Sequence, residues 1–428
     1  MSQTVNVLLF LIGGLLLVLS LSGGWIKNRG FLSEPGLALL FGFLIAPLLE
    51  SWLPFDPSHE TLTTILEHLA RVTLAIALLD IATDLPKGYF WENRYAILLM
   101  VLVVMPLMWV ISSLLFWAAV GLPVVACLAL GAIVTPTDPV VAHSVVSGKV
   151  ARKAIPARIR RLILAESACN DVLAYPLVML AIPLLNHQEW VPVKWFFGVL
   201  GWEICGAAAI GLAAGYAASR SLLWAQKSDH TETTSLLTVS VTLALALLGG
   251  VKLLHADGLV AVLTAGLVLN RYLGEDISET KEHVHNAIRR LFELPVFVLL
   301  GWCLPWREWL ESGWTLALLA VALLLLRRPP VLLALRPAIA PVRTSAEAAY
   351  MGWFGPLGVA ALLYAILVEK QGGLEEAWVY GTFMIAVSAL VHGSTATPLT
   401  TLFRGFSDDQ QNSAERDRRS EKEARTPV

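Results

Sequence analysis

Charge is what this sequence has least of. Asp, Glu, Lys and Arg together make up 15% of its 428 residues, against about 25% in an ordinary soluble domain. That deficit excludes a water-soluble globular protein of this size. The net charge of −2 says nothing in favour of a nucleic acid, and none is expected as a partner. Cysteine is scarce as well. Cys127, Cys169, Cys205 and Cys303 are scattered through apolar stretches, with no CxxC pair and no Cys/His set at zinc spacing. They are expected as small core residues without a disulfide or a structural metal. HExxH, Walker A and GxSxG motifs are all missing, so the chain is expected to be no enzyme and to need no cofactor.

Apolar sequence is abundant. Hydrophobic residues make up 56% of the chain and the mean hydropathy is +0.67. Runs of the roughly 20 residues that a bilayer-spanning helix needs follow one another. The expected fold is an all-α polytopic membrane protein with about thirteen transmembrane spans. They lie near 5–22, 31–52, 61–83, 95–119, 123–147, 159–185, 195–219, 233–251, 257–273, 287–305, 313–335, 345–368 and 376–400. The first has no basic residues before it and no small-residue cleavage pattern, so it is expected as a retained helix. Basic residues set the orientation. Of the 31 Lys and Arg residues, only Lys194, Lys252, Arg307 and Lys370 fall on one side, while Arg71, Arg327 and Arg328 fall within spans. The crowded side is expected to be cytoplasmic, which puts the N-terminus outside and the C-terminus inside. The transmembrane domain would cover 1–402, and the mixed-charge, apolar-poor segment 403–428 is expected as a short disordered cytoplasmic tail.

Ionisable groups inside a span are costly and tend to be functional. The densest set is "LAESACNDVLAYP", residues 164–176. Glu166 and Asn170 are four apart and share a helix face, and Ser167 and Asp171 repeat that spacing. Glu166 and Asp171 are about 140° apart in projection, so one can bind a ligand while the other fastens the helix. Asp171 is the expected ligand. Ser167 and Asn170 fit either a ligand role or ordinary helix packing. Glu166 is expected in a buried ion pair with Arg327 or Arg328 of "LLLLRRPPVLL", the alternative being that these arginines reach the headgroups. Glu67, Asp80, Asp84, Glu203 and Glu293 read as boundary or helix-contact residues, and His143 and His392 as packed polar groups.

Two spans carry helix breakers at their centres. "AIVTPTDPVVAHSV", residues 132–145, sets Asp138 between Pro136 and Pro139, and "YMGWFGPLGVAALLYA", residues 350–365, contains Gly355 and Pro356. Two broken segments at corresponding positions of two halves point to a secondary-transporter binding site. Spans 5 and 12 are seven apart, as if spans 1–6 were repeated, inverted, by 8–13. Carbonyl ends at such breaks can attract a cation, and Asp138 would balance the N–H ends. Oxygen ligands suit small hard cations, and burial makes a carboxylate hold a proton more readily. One such carboxylate, loaded with either H⁺ or an alkali cation, suffices for exchange. A cation channel or uniporter using the same site, and a non-transporting membrane sensor, are the alternatives.

At these residues the chain resembles the sodium/proton exchanger superfamily, in the Asn-Asp branch of monovalent cation/proton antiporters. It is most similar to the fungal alkali-cation/proton antiporters and their bacterial relatives. "DLPKGYFW" (84–91), "TPTDPVVAHSVV" (135–146), "PARIRRLILAESACND" (156–171), "RRPP" (327–330), "GWFGPLGVAALLYA" (352–365) and "VHGST" (391–395) carry the resemblance. It implies that Asp171 binds the proton and the transported cation (Na⁺ or Li⁺, or else K⁺), with Asp138 as the second carboxylate at that cation. Asn170, Ser167 and Thr137 would complete the site. It also implies a Glu166–arginine pair, for which Arg328 is favoured because it directly precedes proline. The implied architecture is a homodimer with dimerisation spans 1–3 and 7–10 and a mobile core of spans 4–6 and 11–13 that moves like an elevator. A role in pH homeostasis follows from the same resemblance. Ala168 and Val172 stand where the fungal pattern has glycine, and Asp84 stands where it has glutamate. The fungal proteins' long tail has no counterpart here, so tail-based regulation does not carry over. Short loops and a short tail fit a bacterial inner membrane.

Overall fold

A computed structural model describes residues 2–29, 33–52, 58–139, 142, 149–227, 235–272 and 279–424. Among them every regular element is helical. In chain order these are α1 (Ser2–Arg29), α2 (Glu34–Trp52), α3 (His59–Asp84), α4 (Arg94–Val120), α5 (Val124–Ile133), α6 (Ala157–Leu185) and α7 (Val191–Ala225). Then come α8 (Ser235–Leu253), α9 (Gly258–Tyr272), α10 (Glu279–Trp302), α11 (Gly313–Ala338), α12 (Ser345–Trp353), α13 (Val359–Gly372) and α14 (Glu376–Ala424). Short helical turns, such as Tyr89–Glu92 and Lys149–Ala154, join some of them.

Five described segments are long and apolar enough to cross a bilayer unaided: α4, α6, α7, α11 and the Glu376–Phe403 part of α14. Their outer surface is hydrocarbon, with Leu102, Trp117, Phe197, Trp224, Trp314 and Leu318 exposed, while Asp138, Glu166, Asn170, Asp171 and Arg328 lie inside. This reverses the arrangement of a soluble domain and is what lipid as solvent demands. The chain is an integral membrane protein.

Local sequence explains where helices start and stop. Ser58 caps α3 by accepting from the Thr61 N–H at 3.3 Å. Thr344 and Glu347 form a reciprocal capping box at the start of α12. α11 is interrupted at Arg327–Arg328 because Pro329 and Pro330 cannot donate back into the preceding turn. π-helical stretches at Met100–Val104 and Trp195–Gly206 interrupt α4 and α7.

Small residues let the long helices approach closely. A Cβ at Gly211 or Gly215 of α7 would run into the backbone of Ala261 or Ala265 of α9, the four-residue spacing of a close transmembrane crossing. α10 packs along α2, and α9 along both α7 and α3. The centre is formed by α3, α6 and α13. Residues 73–82 of α3, 165–172 of α6 and 359–366 of α13 are buried without interruption. A segment buried all round has no solvent face, so polar groups on α6 must be satisfied by neighbouring helices.

Two findings differ from the sequence expectations. The backbone of α14 stays helical through Ala424, across the tail expected to be disordered. That stretch, "SAERDRRSEKEA", is built from strong helix formers, a preference outside the hydropathy criterion. Cys205 is exposed rather than in the core, because it sits in the outward-facing π stretch of α7. Span 5 is helical only over Val124–Ile133 before its break. His143 lies outside the described residues.

Candidate functional site

Both predicted breaks are present, and they meet. α5 ends at Ile133, residues 134–138 are non-helical, and helix resumes at Pro139. α12 ends at Trp353 and α13 begins at Val359, with the non-helical residues 354–358 between them. The Asp138 N–H donates to the Pro356 carbonyl at 2.7 Å, so the breaks bridge each other. Gly355 and Gly358 permit this approach. A Cβ at 355 would press on Arg328 and Thr137, and one at 358 would overlap the Asp138 carboxyl group.

α6 supplies the wall beside the crossing. Glu166, Ser167, Asn170 and Asp171 are all at most 2% exposed. Arg328 forks onto Glu166, Nη1 to Oε1 at 2.9 Å and Nη2 to Oε2 at 2.8 Å, the bidentate geometry that lets a buried carboxylate stay charged. Asn170 is committed at both ends of its amide. Its Nδ2 donates to Glu166 Oε1 at 2.7 Å and to Thr137 Oγ1 at 2.8 Å, while its Oδ1 accepts from the Thr137 N–H at 3.1 Å. Thr137 Oγ1 lies 3.1 Å from Ser167 Oγ. Asn170 therefore straps the unwound part of span 5 onto α6.

Asp171 stands apart from this network. Neither of its carboxylate oxygens has a hydrogen-bond partner among the described residues. Only its backbone carbonyl is engaged, by the Tyr364 hydroxyl of α13. The carboxyl group lies within the electrostatic reach of Asp138 and Glu166. An isolated buried carboxylate is among the costliest groups a membrane protein can keep, so its surroundings favour whatever neutralises it.

Arg327 does something the sequence reading missed. It was expected to share the Glu166 pair or to reach the headgroups. Instead its guanidinium donates to the Val134 carbonyl at the end of α5, and to the Gly355 carbonyl after α12 at 2.5 Å. The carbonyl ends expected to attract a cation are thus already met by an arginine, as the partial negative charge at a helix C-terminus favours. His392 of α14 fixes the second break. Its Nε2 is 2.8 Å from the Trp353 carbonyl and its Nδ1 2.9 Å from Ser388 Oγ, which in turn accepts the Leu357 N–H at 2.8 Å. The proline and carboxylate pattern could not reveal these contacts, which come from three distant segments.

The remaining acids divide. Glu67 pairs with Lys370 at 3.3 Å and Asp80 with Arg289 at 3.2 Å, and Glu203 accepts from the Tyr175 hydroxyl at 2.6 Å. Asp84 lies at the C-terminal end of α3. Glu293 has no such bond among the described residues.

Fold and site together define an all-helical membrane protein in which two interrupted helices cross beside an unpartnered buried carboxylate. A family model described as "Sodium/hydrogen exchanger, transmembrane" matches residues 14–402. The chain belongs to the sodium/hydrogen exchanger family. It is 30% identical over 412 residues to Na(+)/H(+) antiporter 2 of Zygosaccharomyces rouxii, covering 88% of this chain and 50% of that one. It is 29% identical to a Na(+)/H(+) antiporter of Saccharomyces cerevisiae, covering 90% and 42%. The chain thus spans about half the length of these fungal relatives, whose names are those of transporters and not enzymes. The sodium proton antiporter MjNhaP1 of Methanocaldococcus jannaschii has the same fold, with a TM-score of 0.71 over 94% of this chain and 99% of that one, at 20% identity.

Proposed function

We propose that this chain is a secondary antiporter that exchanges Na⁺ or Li⁺, with K⁺ as a further candidate, for H⁺ by alternating access. Asp171 carries the reading, because both of its carboxylate oxygens are buried with no donor among the described residues. Such a group is stabilised by a proton or by a small cation, and the same oxygens cannot hold both. Binding a cation therefore expels the proton to water, and the loaded site is electrically alike in either form. Asp138, Thr137 and Ser167 stand beside it as further oxygen groups suited to a hard cation. Asn170 holds Thr137 in position. The Glu166–Arg328 pair, neutral as a pair, and Arg327 on the two helix-end carbonyls keep the crossing rigid.

The same proposal extends to architecture. Thirteen spans would form an inverted repeat of 1–6 and 8–13. The core of spans 4–6 and 11–13 would carry the site past dimerisation spans 1–3 and 7–10 like an elevator, within a homodimer. The distribution of Lys and Arg supports an outside N-terminus and a cytoplasmic C-terminus, and the short loops support a bacterial inner membrane. Exchange of this kind serves pH homeostasis.

Everted vesicles from cells lacking other antiporters, acidified and loaded with a quenched pH dye, test this. Na⁺ or Li⁺ should dequench the dye without any membrane potential. Current without proton movement would mean a uniporter, and no response from mildly acid to alkaline pH would overturn the reading. In the same assay Gly358→Ala should slow exchange about a hundredfold, because displacing a reacting group by an ångström is that costly. A normal rate would mean that the Asp138 carboxyl group can move aside freely.

A further inference from the structure

Glu293 is a second buried carboxylate with an unsatisfied oxygen, and the site described above does not use it. It is 4% exposed, and its Oε1 meets no hydrogen-bond donor among the described residues. The basic residues one turn back on α10 are engaged elsewhere. Arg289 pairs with Asp80 of α3 at 3.2 Å, and Arg290 bonds Glu34 of α2. Asp80 and Glu34 thus have guanidinium partners, whereas Glu293 has none within ion-pair distance among the described residues.

Its position gives this surplus charge a direction. Arg289 and Arg290 lie toward the N-terminal end of α10, and Glu293 lies about 6 Å further along the axis from Arg289. Its carboxyl group lies within the electrostatic reach of Asp138 as well as of Arg289, Arg290 and Glu34. It is thus a buried acid near the crossing that stands on a helix outside the Glu166–Asp171 wall. A carboxylate serving only to join helices would be expected to find a donor, as Asp80 and Glu34 do, because leaving a buried acid unsatisfied costs more than replacing it.

We propose that Glu293 is a staging site for the transported monovalent cation, holding it by its carboxylate between the Arg289–Arg290 end of α10 and the Asp138–Asp171 site. This rests on the exchanger reading above. Water supplies the remaining ligands there, since Na⁺ and Li⁺ need more oxygens than one carboxylate provides. The residue acts on capture of the cation more than on its exchange for a proton.

Purified full-length protein in proteoliposomes tests this. Cation-driven proton movement is measured against Na⁺ concentration for wild type, Glu293→Gln and Glu293→Asp, with Asp171→Asn as the inactive control. Glu293→Gln should raise KM for Na⁺ about tenfold, a larger change than that in kcat, and Glu293→Asp should recover part of the affinity. A lowered kcat at unchanged KM, or no change in either, would overturn the assignment. Na⁺-dependent thermal stabilisation in detergent, against choline at equal ionic strength, gives a readout that needs no transport. In the Asp171→Asn background, Glu293→Gln should abolish the stabilisation that remains, and its persistence would also overturn the assignment. If wild-type protein is stabilised by Na⁺ through Glu293 but moves no protons, the exchanger reading fails while the site stands.

Discussion

Asp171→Asn is expected to abolish cation-dependent proton movement, down to the level of liposomes without protein, and at the same time to make the protein more stable. The two effects share one cause. Asparagine cannot release a proton, and it cannot neutralise a bound alkali ion. It also removes a buried charge whose oxygens meet no donor among the described residues, a liability of about 1–3 kcal/mol or more in a folded protein. Exchange is read from the dye assay, and stability from the melting temperature of purified protein in detergent without Na⁺. Exchange surviving the substitution would rule out Asp171 as the obligatory carrier. Loss of exchange with a lower melting temperature would instead mean that the carboxylate holds the fold together.

Breaking the Glu166–Arg328 pair should produce the opposite pattern. Arg328→Ala strands a carboxylate that is 1% exposed, and removing one partner of a buried ion pair typically costs about 3–5 kcal/mol. Expression of monodisperse protein should fall sharply. Glu166→Gln should be milder, because the amide oxygen still accepts one guanidinium N–H and the strap from Asn170 at 2.7 Å. The double variant Glu166→Gln/Arg328→Ala should recover part of the loss, since no unpaired charge remains. Recovery by the double variant is the deciding measurement. If its loss equals the sum of the single losses, the two side chains contribute independently and the fork is not what they supply.

Much of the site could be read from the sequence because a membrane makes polar groups conspicuous. Asp138 between two prolines, Gly355–Pro356 and the Glu166–Asp171 set each stand out against apolar sequence. What stayed hidden depends on direction and on distant neighbours. Arg327 and Arg328 are adjacent at the interruption of α11, and their side chains part there, so that only Arg328 reaches Glu166. The other found the ends of two helices whose convergence no local pattern states. Asn170 stands on the ligand face, and its amide also bonds Glu166 and Thr137, a contact to residue 137 that helical spacing does not show. Glu293 reads as a helix contact from sequence alone, and what sets it apart is an Oε1 that meets no donor among the described residues. The hydropathy criterion that located spans had no bearing on the helical backbone after residue 403.

The crossing also has a consequence for how the chain is made. Glu166 and Arg328 are 162 residues apart, and the Pro356 carbonyl that receives the Asp138 N–H comes later still. Synthesis runs from the N-terminus, so the acidic wall enters the membrane before its arginines and the second break exist. Through that interval Glu166 must hold a proton or stay in contact with water, because the guanidinium that later secures it has not yet been translated. A chain stopped short of Arg327 would leave the insertion machinery with its acids unmatched, marked for removal by the quality-control proteases of its membrane. The last quarter of the polypeptide thus completes a site whose acids belong to its first half.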